Sequence, residues 1–212
     1  MENEDITLIS DEKVISIPIK ENREPLVDLR FFNGKIDIKG AESTLLRESA
    51  AHKLLQAMEL LPNDFSIRIF ECYRSLSVQR RIYEEFLEAL KKKHADWEEN
   101  VLIREASKFV APPNIEPPHT TGAAVDLTLI RRNGQEIDMG TVLNADPEEC
   151  GYRCFTSAVD ISDEAKKNRN VLVSALSECG FVNYPTEWWH WSYGDRYWAF
   201  MNNLPFAIYG SI

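Results

Sequence analysis

The ten residues Pro117-Pro118-His119-Thr120-Thr121-Gly122-Ala123-Ala124-Val125-Asp126 constrain this chain more than any other stretch. The run of prolines from Ala111-Pro112-Pro113 to Pro117-Pro118 makes a stiff loop that ends at His119. Gly122 then allows a backbone turn that other residues resist. Beyond it the chain alternates. Val125, Leu127 and Leu129 share one face, while Ala124, Asp126 and Thr128 share the other. The pattern predicts a turn feeding a strand, with Asp126 directed away from the main apolar row.

A second stretch, Glu187-Trp188-Trp189-His190, gives the first its meaning. Together they supply two imidazoles, a carboxylate able to bind metal, and a spare Glu just before the second imidazole. That is the inventory of a catalytic zinc site, with three protein ligands, an open fourth position and a general base. The chain has four histidines, and His52 and His94 fall on polar helical stretches, where both read as exposed. Two His plus one carboxylate is therefore the natural ligand set. His119 and Asp126 are local to one another, whereas His190 must arrive from another strand. Glu187 and His190, three apart, point to opposite faces of a flat strand. Pro185 offers a bend that would let both reach one cleft. The plainer readings are a surface carboxylate for Glu187 and core packing for Trp188, Trp189 and Trp191.

At 212 residues the chain suits one domain, or at most one and a half. Residues 1–25 read as an irregular arm. Within it Val14, Ile15, Ile17 and Ile19 hint at a strand that Pro18 confines to an edge. Val27 to Phe32 is a further extended candidate. Ser43 or Thr44 can cap a helix through Leu61, with Leu46, Ala50, Leu54 and Met58 on its apolar face. Phe65 to Phe70 alternates as a strand. Ser75 caps a long helix beyond it, which leaves Arg74 at a strand end, facing a cleft or holding the helix start by a salt bridge. Asn133-Gly134 marks a hairpin returning through Ile137. Ser162 caps another helix, which buries Leu172, Ala175, Leu176 and Cys179 and stops at Gly180. Phe181–Tyr184 and Trp188–Tyr193 complete the strands. The sum is an α+β fold, a single domain over 26–212 with a largely antiparallel sheet flanked by helices.

Composition excludes other classes. A net charge of −10 argues against non-specific nucleic-acid binding, which needs clustered Lys and Arg. No run of about 20 apolar residues offers a membrane span. The opening Met-Glu-Asn-Glu-Asp lacks a signal peptide's basic-then-apolar order, so a full-length product of this sequence is expected in the cytoplasm. Of Cys72, Cys150, Cys154 and Cys179, the pair Cys150 and Cys154 resembles half a metal knuckle, but no second pair at matching spacing follows. Ordinary reduced thiols are the better reading.

With these residues in place, the chain resembles the zinc D-alanyl-D-alanine dipeptidases, the VanX-type branch of peptidase family M15, whose fold is shared with the Hedgehog signalling domain. The motif His-x-x-Gly-x-Ala-x-Asp is met by His119, Gly122, Ala124 and Asp126, and Glu-x-x-His by Glu187 and His190. Tyr73-Arg74 with Gln79, Asp28-Leu29-Arg30 and Asp138-Met139-Gly140-Thr141 match further signatures, as do Asn168-Arg169-Asn170 and Gly180-Phe181. The resemblance spans roughly residues 25 to 200.

It implies one zinc held by His119, Asp126 and His190, with Glu187 as catalytic base and Arg74 stabilising charge on the scissile carbonyl. The implied reaction splits D-Ala-D-Ala, a small D,D-dipeptide, into two D-alanines. The chain departs from the family at three places. Pro117 stands where a Ser is usual, Asn144 where an Asp is usual, and Ile36-Asp37-Ile38-Lys39-Gly40 where the family has Asn-Phe-x-Gly. All three surround substrate rather than metal. They leave a D,D-carboxypeptidase or endopeptidase on larger peptidoglycan peptides as the first alternative. A non-catalytic zinc module of the same fold is the second.

Overall fold

The alternating segments Phe65–Glu71 and Ala124–Arg131 pair as long neighbours in a four-stranded antiparallel sheet. The computed structural model describes residues 6–32 and 36–212; the acidic opening residues 1–5 lie outside them. In chain order the described elements are α1 (Glu12–Ile15), β1 (Leu26–Asp28), β2 (Leu45–Arg47), α2 (Glu48–Glu59), β3 (Phe65–Glu71), α3 (Leu76–Lys93), α4 (Glu99–Ala106), β4 (Ala124–Arg131), α5 (Asp163–Glu178), β5 (Val182–Asn183), β6 (His190–Ser192) and α6 (Arg196–Met201). Short 3-10 turns cover Leu29–Phe31 and Pro118–Thr121. The main sheet runs β3-β4-β6-β5, and β1 and β2 form a separate antiparallel pair. This is the α+β arrangement expected from the sequence.

One apolar core unites the layers. Ile67 and Ile69 of β3 and Val125, Leu127 and Leu129 of β4 join Leu54 of α2 and Leu172 and Leu176 of α5 in a single buried cluster. Trp188, Trp189 and Trp191 belong to the same cluster, so their core reading holds. Ser75 accepts from Val78 N at 3.4 Å and Ser162 from Ala165 N at 3.0 Å, starting α3 and α5 where the caps predict.

Three local expectations are corrected. Val14 to Ile19 is not a strand. Asp11 accepts a hydrogen bond from Lys13 N at 2.9 Å and starts the helical turn α1, which buries Val14. Only Ile19 keeps an extended pairing, a single bridge to Ala207. Neither Ser43 nor Thr44 caps α2. Leu45–Arg47 is used as β2 against β1, so the helix begins three residues later, and the Thr44 hydroxyl donates to Asp28 at 2.8 Å instead. His94 is half-buried rather than exposed. Its ring stacks on Trp97 at 3.7 Å, and its Nε2 lies 2.8 Å from Glu148. His52 is exposed as expected. The four cysteines are free, and among the described residues Cys150 and Cys154 join no metal-binding group. No described helix is long and apolar enough to cross a membrane.

Candidate active site

The sheet register builds the site. Asp126 of β4 is the direct cross-strand partner of His190 on β6. On its other side Asp126 pairs with Glu71 of β3. Ile67 and Ile69 face Leu129 and Leu127 in regular register, which should turn Glu71 into the apolar core with them. The register instead shifts between Ile69 and Glu71, placing one extra residue on β3. Such a bulge swings the following side chain to the opposite face of the sheet. Glu71 therefore stands beside Asp126, in a row Glu71–Asp126–His190 across three strands.

His119 enters from the 3-10 turn and is fixed by the end of β3. Its Nδ1 lies 2.6 Å from the Cys72 carbonyl, and its own carbonyl accepts from Arg74 N at 3.1 Å. The turn closes on Gly122, whose φ of +69° favours glycine. A Cβ there would also meet the Leu26 side chain at 2.4 Å. Arg47, buried, donates through Nε to Thr121 O at 2.8 Å and holds the turn from below.

The donor set fits a metal ion. The Cys72 carbonyl can only accept, so His119 Nδ1 carries the hydrogen and Nε2 presents its lone pair inward. That Nε2 lies 3.3 Å from Asp126 Oδ2 and 3.2 Å from His190 Nδ1, which itself lies 3.0 Å from Asp126 Oδ1. One candidate ligand atom from each of the three residues lies within 4.8 Å of the others. At 5 %, 3 % and 6 % exposure, His119, Asp126 and His190 have little water to separate their lone pairs. Acceptors converging so closely are stabilised by a cation or a proton among them. Two imidazoles and one carboxylate with further positions open are a donor set that suits zinc.

Glu187 and Arg74 share a cavity with these three residues. The cavity has a volume of about 370 Å³ and is walled in part by Phe86, Asn144 and Tyr184. Glu187 reaches it because the chain bends before β6: its N–H bonds to Tyr184 O at 2.9 Å, and His190 N bonds back to Glu187 O at 3.2 Å. The bend expected at Pro185 is what lets Glu187 and His190 face one cleft.

Burial raises the Glu187 carboxyl well above the usual carboxylate range, and the Asp126 charge adds to it, against the pull of Arg74. Asp126 moves the other way. Burial opposes its charge, but the two imidazoles override that and hold it far below the usual range. Arg74 donates Nε to Glu71 at 2.8 Å, Nη1 to Gln79 at 2.9 Å and Nη2 to the second Glu71 oxygen. Burial works against its charge, but Glu71, Asp126 and Glu187 keep it firmly cationic. The salt-bridge reading of Arg74 and the cleft reading thus hold together.

A profile of the D-Ala-D-Ala dipeptidase family, peptidase family M15, matches residues 22–206. This chain belongs to the M15 D-Ala-D-Ala dipeptidase family. Among its relatives, a D-alanyl-D-alanine dipeptidase of Synechocystis sp. is 27% identical over 221 residues, covering 89% of this chain and 90% of the relative. Enzymes of the same description from Escherichia coli and Enterococcus faecium are 31% and 36% identical, over 39% and 37% of this chain and 41% and 37% of the relatives. A solved structure of a vancomycin-resistance D,D-pentapeptidase VanY variant in complex with Zn(II) aligns with a TM-score of 0.48 at 14% identity, over 90% of this chain and 96% of that one. VanYB in complex with D-Alanine-D-Alanine aligns at 0.47 and 15%, over 89% and 93%.

One of the M15 departures is visible at the cavity: Asn144 lines the wall with a φ of +57°, whereas Pro117 precedes the 3-10 turn and does not line it. The sequence reading missed Asp146, two residues on, which also lines the cavity. It missed Glu71 too, though the spacing of Glu71 and Arg74 was open to view as a pair three apart.

Proposed function

We propose that this chain is a zinc-dependent dipeptidase that hydrolyses D-alanyl-D-alanine to two molecules of D-alanine. The convergence of His119 Nε2, Asp126 and His190 Nδ1 on one buried point carries the reading. Zinc held by these three residues would supply a Lewis acid for the scissile carbonyl and lower the pKa of a water to about 7.

The chain's own residues supply the rest. Glu187 is the general base, taking the water's proton and passing it to the departing amine. Its raised pKa suits a group that must hold that proton between the two events. The cationic Arg74 opposes that rise. Arg74 has a fixed direction, because Glu71 and Gln79 grip its guanidinium. Directed at the developing oxyanion, it would contribute roughly 3–4 kcal/mol, the scale of one oxyanion-hole donor. A cavity of about 370 Å³ lies near the lower end of ligand sites, which span roughly 300–1,000 Å³, and so favours a small substrate. The Synechocystis relative, matched over most of both chains, is described as a dipeptidase. A cytoplasmic location is part of the proposal, testable by fractionation.

A second reading, a D,D-carboxypeptidase on larger wall peptides, is favoured by one observation. Asn144 lines the cavity where the family's usual residue is an Asp, which removes one carboxylate from the wall that a free ammonium would meet. The inward placement of both Glu187 and Arg74 argues against a non-catalytic zinc module, which would need neither. The test is D-alanine release from D-Ala-D-Ala. Release that a chelator abolishes and added zinc restores supports the proposal. No release at any zinc level overturns it.

A further inference from the structure

Two buried polar atoms near the ligand set have no partner, and their chemistry is complementary. His190 Nε2 is one and Asp195 Oδ2 is the other. The third unpartnered atom among the described residues is the Tyr184 hydroxyl; the Tyr184 ring packs edge-on against the His190 imidazole at 6.1 Å, and its oxygen lies toward Thr186 and the Ile9 backbone. Asp195 is 1 % exposed. Its Oδ1 accepts from Trp198 N at 2.7 Å and caps α6, which leaves Oδ2 free.

The backbone brings this carboxylate to the side of the sheet that bears His190. His190 and Ser192 alternate onto one face of β6, opposite Asp126 and Ala124 of β4. The Ser192 hydroxyl lies beside the Asp195 carboxylate. Gly194, at φ +92°, makes the turn between them, and its carbonyl accepts from Ile208 N at 2.8 Å and Tyr209 N at 3.1 Å. A Cβ at this glycine would meet the Tyr209 ring at 2.4 Å, so the turn is tightly enclosed.

His190 presents Nδ1 to Asp126 and His119. For Nδ1 to offer a lone pair there, the ring hydrogen must sit on Nε2. That N–H is buried and needs an acceptor. A ligating imidazole commonly donates its second N–H to a carboxylate, a carbonyl or a water, which fixes tautomer and ring orientation. We propose that Asp195 is the positioning residue for His190, its free Oδ2 receiving the Nε2–H through one bridging water. The pairing would give each buried atom a partner and leave Nδ1 unprotonated toward the metal point. It rests on the zinc reading above.

The test uses the full chain and zinc alone. Asp195→Asn keeps an oxygen to cap α6 but turns an N–H₂ toward the Nε2–H. Asp195→Ser also keeps a capping oxygen and removes the second one. Zinc affinity is measured by competition with a chromophoric chelator, beside the melting temperature of each metal-free protein. Both variants should bind zinc roughly 10–100-fold more weakly, the usual scale for such partners, with melting close to the parent's. Zinc affinity unchanged in both would overturn the inference. Nitrogen NMR of the parent protein gives a readout that does not depend on any variant folding. The hydrogen of His190 is expected on Nε2, and finding it on Nδ1 would overturn the proposal. Failure of the parent itself to bind zinc would instead sink the zinc reading, and this inference with it.

Discussion

Asp126 and His190 face each other across β4 and β6, and their side chains meet at 3.0 Å. The candidate ligand set is thus tied to sheet register. A slip of one residue would turn His190 to the opposite face and dismantle the site. His119 is tied to the same frame, because Cys72 and Arg74 hold it from the end of β3.

Removing a ligand should therefore cost metal before it costs fold. His190→Ala and Asp126→Ala should weaken zinc binding by more than the roughly 10–100-fold typical of outer-shell changes. Metal content after dialysis against a weak chelator, with circular dichroism as a fold check, measures this. Full zinc retention in either variant would remove that residue from the ligand set.

Glu187→Gln should separate metal binding from chemistry. The amide fills the same space but cannot take a proton. Zinc content should stay near one per chain while kcat falls by about 10²–10⁴, the range for a general base. Normal turnover by this variant would sink the assigned mechanism.

Under the proposed mechanism Arg74 has two roles, one in catalysis and one in holding Glu71, and its variants should show both. Arg74→Ala should lower kcat by roughly 10²–10³, as loss of an oxyanion donor does. It should also destabilise the fold by about 3–5 kcal/mol, because Glu71 is left charged and buried. Arg74→Lys keeps a charge for Glu71 but loses the guanidinium fork, so stability should recover more than kcat. Denaturant unfolding and steady-state kinetics on the same preparations separate the two effects.

Acid should unfold the chain partly through Asp28. The side-chain hydrogen bond from Arg30 holds its carboxyl far below the ordinary 3.8, against a burial penalty, with help from Arg30 N–H and Thr44. A carboxyl depressed in the folded state contributes stability above its unfolded value and loses it as pH falls toward the folded value. Stability should be flat above about pH 5 and fall progressively below about pH 4. Asp28→Asn should flatten part of that slope. An unchanged acid profile in the variant would show that Asp28 carries none of it.

Much of the site was legible because its chemistry is local in sequence. His119 and Asp126 are separated by one turn and the start of a strand, and the alternation of Val125, Leu127 and Leu129 already placed Asp126 apart from the apolar row. Glu187 and His190 required the bend at Pro185, which the proline signalled. What escaped depended on pairing. The β3 bulge that carries Glu71 beside Asp126 exists only against β4. Leu45–Arg47 carries helix-compatible residues after two good caps, yet β1 recruits it into a strand. His94 looked solvated on its own helix, but Glu148 comes to it from a distant loop. Asp195 caps α6, and nothing local in the sequence marks its second oxygen as buried.

The most direct measurement is D-alanine release by the zinc-loaded protein from D-Ala-D-Ala beside its N-acetyl derivative. The dipeptidase reading predicts release from the free dipeptide and little from the blocked one, with the ammonium recognised despite Pro117 and Asn144. Efficient release from the N-acetyl derivative, with none from the free dipeptide, would contradict it and assign the cavity to a carboxypeptidase.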